Sequence, residues 1–131
     1  MTMKWENSPF KNPMARARNV GSAHAGVHHW LMQKFTAVSN LLLSLWLIYS
    51  LAQGFASNFT GVEIFLQNPV NAGLLILFLL SSFYHAALGL TVVIEDYVHC
   101  EATKLASLFA VKFVITAGCV LSILSVLKLA I

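Results

Sequence analysis

His85 and the Asp96-Tyr97 pair are the residues of this chain best equipped for chemistry. A neutral imidazole binds a metal or relays a proton, and a phenol donates a hydrogen bond to a carbonyl oxygen while a carboxylate beside it delivers protons. The two features lie eleven residues apart in HAALGLTVVIEDYVH. At about 100° per residue that interval is three helical turns plus roughly 20°, so His85 and Asp96 share one helix face, separated by roughly 16 Å along the axis. Ser81 and Gly89 stand one turn to either side of His85.

The elements that must hold these residues are membrane spans. Of 131 residues 58% are hydrophobic and only 10% charged, with a mean hydropathy of +0.75, a composition outside that of soluble globular domains. A bilayer core needs about 20 apolar residues per helix, and three stretches qualify, about 35–55, 70–94 and 105–127. The sequence therefore predicts an all-α membrane protein: a basic N-terminal arm, 1–34, and a three-helix transmembrane domain, 35–131. Asn68-Pro69 supplies a capping amide and then a proline suited to the first position of the second helix. The connections read as a loop of about fifteen residues holding GFASNFTGVEIFLQNP and a tight turn at EDYVHCEATK, and neither has room for a soluble catalytic domain.

Charge sets the expected topology. Lys4, Lys11, Arg16, Arg18 and Lys34 all precede the first span, while the connection between spans one and two has no Lys or Arg. Cationic flanks stay on the cytoplasmic or matrix side, which predicts the N-terminus and the EDYVHCEATK turn inside and the C-terminus outside, with Lys128 a single contrary charge. The net charge of +3 reads as topology, with no nucleic-acid partner implied. The arm reads as mature sequence, not a signal or transit peptide, which favours a bacterial inner membrane over a mitochondrial one.

With this topology His85 lies near mid-bilayer, where an ionisable side chain is costly and marks a functional site by default. Two readings stand side by side. In one, the ring ligates haem iron in its neutral form, and Gly89 leaves space for the macrocycle edge. In the other, it is a neutral histidine hydrogen-bonded to a neighbouring helix. His24, His28, His29 and His99 are too shallow to reach the same iron, so a bis-histidine site needs its second ligand from another polypeptide. Asp96 and Tyr97 are likewise either interfacial belt residues or a proton donor and hydrogen-bond donor for a lipid-soluble carbonyl compound.

The remaining features read as structural. Cys100 and Cys119 are separated by roughly 28 Å of helix and cannot pair. Asn58-Phe59-Thr60 matches a glycosylation acceptor by a three-residue pattern only. Ser39, Asn40, Ser44 and Ser50 in the first span, and Ser107, Thr116, Gly118 and Ser122 in the third, suit close helix packing. Lys112 snorkels to the inner surface.

Together, GVHHWLMQKFTAV entering span one and HAALGLTVVIEDYV closing span two resemble the small hydrophobic membrane anchor, the cytochrome b small subunit, of succinate dehydrogenase, the succinate:quinone oxidoreductase of respiratory complex II. The likeness covers nearly the whole chain. It implies that His85 is an axial ligand to haem b, with the other ligand from the companion cytochrome b anchor. It also implies that Asp96 and Tyr97 belong to the ubiquinone site, completed by that companion anchor and the iron-sulfur protein of the complex, while the flavoprotein oxidises succinate. Lys34 falls where relatives commonly have arginine, and with His28 it is a candidate for contact with the haem propionates; lysine keeps the charge but loses the bidentate fork. The chain has no dinucleotide fingerprint and no cysteine cluster of its own. The alternatives are the anchor of a fumarate reductase, or a membrane assembly or transport protein without haem.

Overall fold

The computed structural model describes residues 23–53 and 58–131, with side chains from residue 26. Lys4, Lys11, Arg16, Arg18 and the His24 side chain lie outside the described residues. Four helices follow in order: α1 (Ala23–Ala52), α2 (Phe59–Gln67), α3 (Pro69–Tyr97) and α4 (Glu101–Ala130). No strand occurs among the described residues. α1, α3 and α4 are each long and apolar enough to cross a membrane, and helices are the natural state of such segments because lipid offers no partner for an open backbone group.

Each long helix runs to 29 or 30 residues, about 45 Å at 1.5 Å per residue against a hydrocarbon core of about 30 Å. Hydropathy marks only the part that matches lipid, so α1 begins well before residue 35. The connections are correspondingly shorter than the sequence suggests. Glu95-Asp96-Tyr97 finishes α3, Glu101 opens α4, and only Val98, His99 and Cys100 lie between. The other connection is largely helical: α2 starts at Asn58, whose side-chain oxygen accepts the Gly61 N–H at 2.6 Å. Asn58 therefore serves as a helix cap. Asn68 does the same for α3, accepting from Val70, with Pro69 at the helix start.

The long helices form a row. α3 packs against α1 on one side and α4 on the other, α2 rests on α3 and α4, and α1 makes no close backbone approach to α4. Pairings of Gln33 with Gly89, Thr36 with His85, and Asn40 with Ser82 run in opposite directions along α1 and α3, so the two are antiparallel. Between α3 and α4 the approach is close at Gly118, where a Cβ would meet the Phe83 ring at 3.1 Å.

A row of three helices cannot cover its own apolar surface. Buried hydrophobics among the described residues are Leu66, Ala72 and Val126, gathered where α2 meets α3 and α4. The pattern on α1 is inverted relative to a soluble protein: Thr36 is 5% exposed and Phe35 beside it 68%. Polar residues face the neighbouring helix, and apolar ones face outward to lipid or partners.

Candidate functional site

His85 lies near the midpoint of α3, where α3 meets α1. Its Nδ1 is 2.9 Å from the Thr36 hydroxyl. That hydroxyl is also 2.8 Å from the Met32 carbonyl oxygen and 3.1 Å from that of Gln33, the back-bond to the preceding turn that threonine often makes in helices. Ser81, one turn before His85, donates to the Thr36 carbonyl at 3.4 Å. Among the described residues no hydrogen bond reaches Nε2 of His85. The hydrogen-bonded histidine of the second reading is thus present at Nδ1, and the ligand reading concerns the other nitrogen. The two readings use different atoms of one ring and do not exclude each other.

One turn nearer the Val98–Cys100 link, α1 and α3 part around a groove of about 630 Å³ lined by His29, Trp30, Gln33, Gly89, Val92 and Glu95. A Cβ on Gly89 would lie 3.6 Å from Gln33 Nε2, an ordinary contact, so the bare glycine widens the groove without being demanded by a clash. Among the described residues the Gln33 Oε1 atom is buried there without a hydrogen-bond partner, and buried polar atoms are rarely left so. A second, more apolar groove of about 550 Å³ flanks Thr36 and Ser81, between Phe35, Leu77, Leu80 and Tyr84.

This donor set suits a flat apolar cofactor that brings its own in-plane ligands: one imidazole nitrogen to spare, greasy walls and a glycine one turn away. It does not suit a bare ion, since no group of three or more His, Cys, Asp or Glu stands together among the described residues.

Asp96 and Tyr97 occupy the last turn of α3, both exposed, Tyr97 at 78%. Among the described residues neither side chain makes a hydrogen bond. The backbone around them is tied down: Lys104 Nζ donates to the Glu95 carbonyl and His99 Nδ1 to that of Tyr97, each at 3.1 Å. Lys34 is exposed, with Nζ 5.9 Å from the centroid of the Trp30 ring, a cation–π distance. It precedes Thr36 by two residues, about 200° round the helix, so it faces away when Thr36 faces α3. His28 is exposed as well. The structure therefore brings His85 to Thr36 but brings neither Lys34 nor His28 into contact with either.

Both cysteines are free. Cys100 opens α4 on the exposed link, and although its sulfur makes no full capping bond, the Thr103 backbone N–H beside it, helped by the Thr103 hydroxyl and the Ala102 N–H, holds the thiol below its ordinary range.

Thr36 and Gln33 do not stand out from the sequence by residue type alone. A signal was present: His29, Gln33, Thr36 and Asn40 recur at intervals of four, three and four, a polar stripe on one face of an otherwise apolar helix. That stripe lies along α3. Of the packing candidates, Asn40 accepts from Ser82 across the helix pair and Ser50 is buried, whereas Ser39 and Ser44 bond back within their own helix.

The fold defines a three-span α-helical integral membrane protein with a polar seam, Gln33, Thr36, Asn40, Ser81, Ser82 and His85, between two of its helices. Residues 8–121 match the family model described as succinate dehydrogenase/fumarate reductase transmembrane subunit. The chain is 40% identical over 103 residues to a succinate dehydrogenase hydrophobic membrane anchor subunit of Rickettsia bellii, covering 79% of this chain and 82% of that protein. It is 34% identical over 116 residues to the anchor subunit of Rickettsia prowazekii, covering 88% and 90%, and 33% identical over 94 residues to the membrane anchor subunit of Reclinomonas americana, covering 69% and 78%. The chain belongs to the family of succinate dehydrogenase/fumarate reductase transmembrane subunits. No solved structure matches it.

Proposed function

We propose that this chain is the hydrophobic anchor of a succinate:ubiquinone oxidoreductase in a bacterial inner membrane, with its N-terminus on the cytoplasmic side. It holds the flavoprotein and iron-sulfur subunits at the membrane, pairs with a second anchor polypeptide, and offers Nε2 of His85 as one axial ligand to haem b. The reading is carried by one observation: an imidazole at mid-span with Nδ1 engaged at 2.9 Å and its other nitrogen without a partner among the described residues, in a chain 40% identical to a succinate dehydrogenase anchor. A second ligand would come from the companion anchor, because no other histidine among the described residues is brought to His85: His29 lies two turns along α1 from Thr36, and His99 lies beyond the end of α3.

Haem b, when bound, supplies one-electron storage beside the quinone pathway. This chain's own residues position and deliver protons. The exposed Tyr97 hydroxyl hydrogen-bonds a ubiquinone carbonyl, and Asp96 passes protons from the aqueous side to the reduced oxygen. Were the macrocycle to reach past the α1–α3 seam, Lys34 and His28, both exposed, would be its candidate propionate contacts. Succinate oxidation belongs to the flavoprotein.

The test is a reduced-minus-oxidised spectrum of the purified complex. We predict that His85→Ala loses or alters a b-type signal that the wild type shows; an unchanged signal in the variant, or none in the wild type, removes the ligand role. We also predict that Tyr97→Phe lowers quinone reduction about 10²-fold or more, while succinate oxidation with an artificial acceptor survives. Equal loss of both activities would assign Tyr97 to assembly instead.

A further inference from the structure

We propose that Thr36 is the positioning residue for His85: its hydroxyl accepts the Nδ1–H, fixing the ring in the tautomer whose Nε2 lone pair is free. This rests on the haem reading of His85 and adds to it the residue that prepares the ligand.

A threonine hydroxyl has one proton to donate and two lone pairs to accept with. Two arrangements are open to the Thr36–His85 pair. In the first, Thr36 donates to the Met32 or Gln33 carbonyl, at 2.8 and 3.1 Å, and accepts from Nδ1 at 2.9 Å. That makes two hydrogen bonds, and Nε2 carries no proton. In the second, Thr36 turns its proton to Nδ1 and abandons both carbonyls, and the ring proton moves to Nε2. That makes one hydrogen bond and leaves an N–H with no acceptor among the described residues, in a span lined by apolar groups. An unpaired donor is heavily penalised in such surroundings, so the first arrangement prevails.

The location of Thr36 supports a fixed role. It is the most buried polar residue described, 5% exposed, and its carbonyl receives the Ser81 hydroxyl from α3 at 3.4 Å. The acceptor is therefore held against the same helix that carries His85, one turn from the ring. A metal-bound histidine commonly donates its second N–H to a fixed acceptor, which sets the tautomer and tunes the basicity of the ligating nitrogen. A neutral hydroxyl pulls on that proton less than a carboxylate does, so the ring stays a weaker electron donor to iron than a carboxylate-bonded histidine.

Thr36→Val keeps the shape of the side chain and removes the acceptor, and Thr36→Ser keeps the acceptor. In the purified complex we expect Thr36→Val to retain haem about 10-fold less tightly and to shift its midpoint potential and low-spin resonance signature, with Thr36→Ser restoring wild-type values. A Thr36→Val complex with wild-type haem content, potential and resonance overturns the inference while leaving His85 as ligand. Should that variant not assemble, the wild-type complex decides the matter. With ¹⁵N-labelled histidine, in lipid and fully reduced, solid-state resonance must find the His85 proton on Nδ1 and hydrogen-bonded, and a proton on Nε2 overturns the inference. The same spectrum reads the tautomer even if the wild-type complex holds no haem, so failure of the haem reading and failure of the Thr36 inference are told apart.

Discussion

At the α2 end of the molecule Leu66, Ala72 and Val126 bury one another, Val62, Phe65 and Leu75 close around them, Trp46 of α1 reaches the Phe65 ring at 6.0 Å, and Asn71 bonds back to the Phe65 carbonyl at 3.1 Å. At the link end α1 and α3 separate instead, leaving a groove with Gln33 Oε1 unpaired among the described residues in its wall and Tyr97 standing outside it. The same helices make a finished end and an unfinished one. The difference follows from what each end has to bury. The α2 end has its own short helix to lay across the row, and methyl groups need only close neighbours. The link end carries amide, carboxylate and imidazole groups, which need partners of matching chemistry, and among the described residues Gln33 Oε1 is left without one.

Emptying the finished end should have the largest consequence. We predict that Leu66→Ala destabilises the membrane sector by about 2–3 kcal/mol, measured by thermal denaturation of the complex, and leaves the proposed b-type spectrum unchanged. A spectrum that moved with stability would mean that the two ends are not separate units. At the unfinished end, Gln33→Leu should cost the assembled complex about 1 kcal/mol if a donor beyond the described residues pairs with Oε1 on assembly. Unchanged or raised stability would show that the groove needs no such donor. The smallest effect concerns the link itself. The Thr103 amide beside Cys100 lowers its thiol pKa, so at any pH below the ordinary thiol range more thiolate is present than on an ordinary cysteine, and alkylation should fall off at lower pH than for a free thiol. Cys119, half-buried in α4, should stay unlabelled, and equal labelling of the two at neutral pH would contradict the exposed link.

Much of this organisation is legible in the sequence. Three apolar stretches of the right length leave the chain no alternative to spanning helices, since lipid satisfies no open backbone. Asn68-Pro69 marks a helix start by local chemistry alone. The interval from His85 to Asp96 places both on one face of α3 by helix periodicity. Helix ends and connections are less visible, because hydropathy reports the thickness of lipid and not where hydrogen bonding stops. Hence α2, hidden in what reads as a loop, and a link of three residues in place of a ten-residue turn.

Which groups meet across helices is settled only on packing. That Thr36, and not Ser39 or Ser44, comes to His85 depends on the register and rotation of α1 against α3, and neither is encoded within a single helix. The sequence alone established a membrane chain with one deep imidazole and an acidic, phenolic rim. Only the folded arrangement assigned a partner to Nδ1, left Nε2 unengaged among the described residues and turned Lys34 away from the seam. Periodicity is a local property of one helix, whereas a hydrogen bond between residues 49 positions apart exists only once two helices have docked.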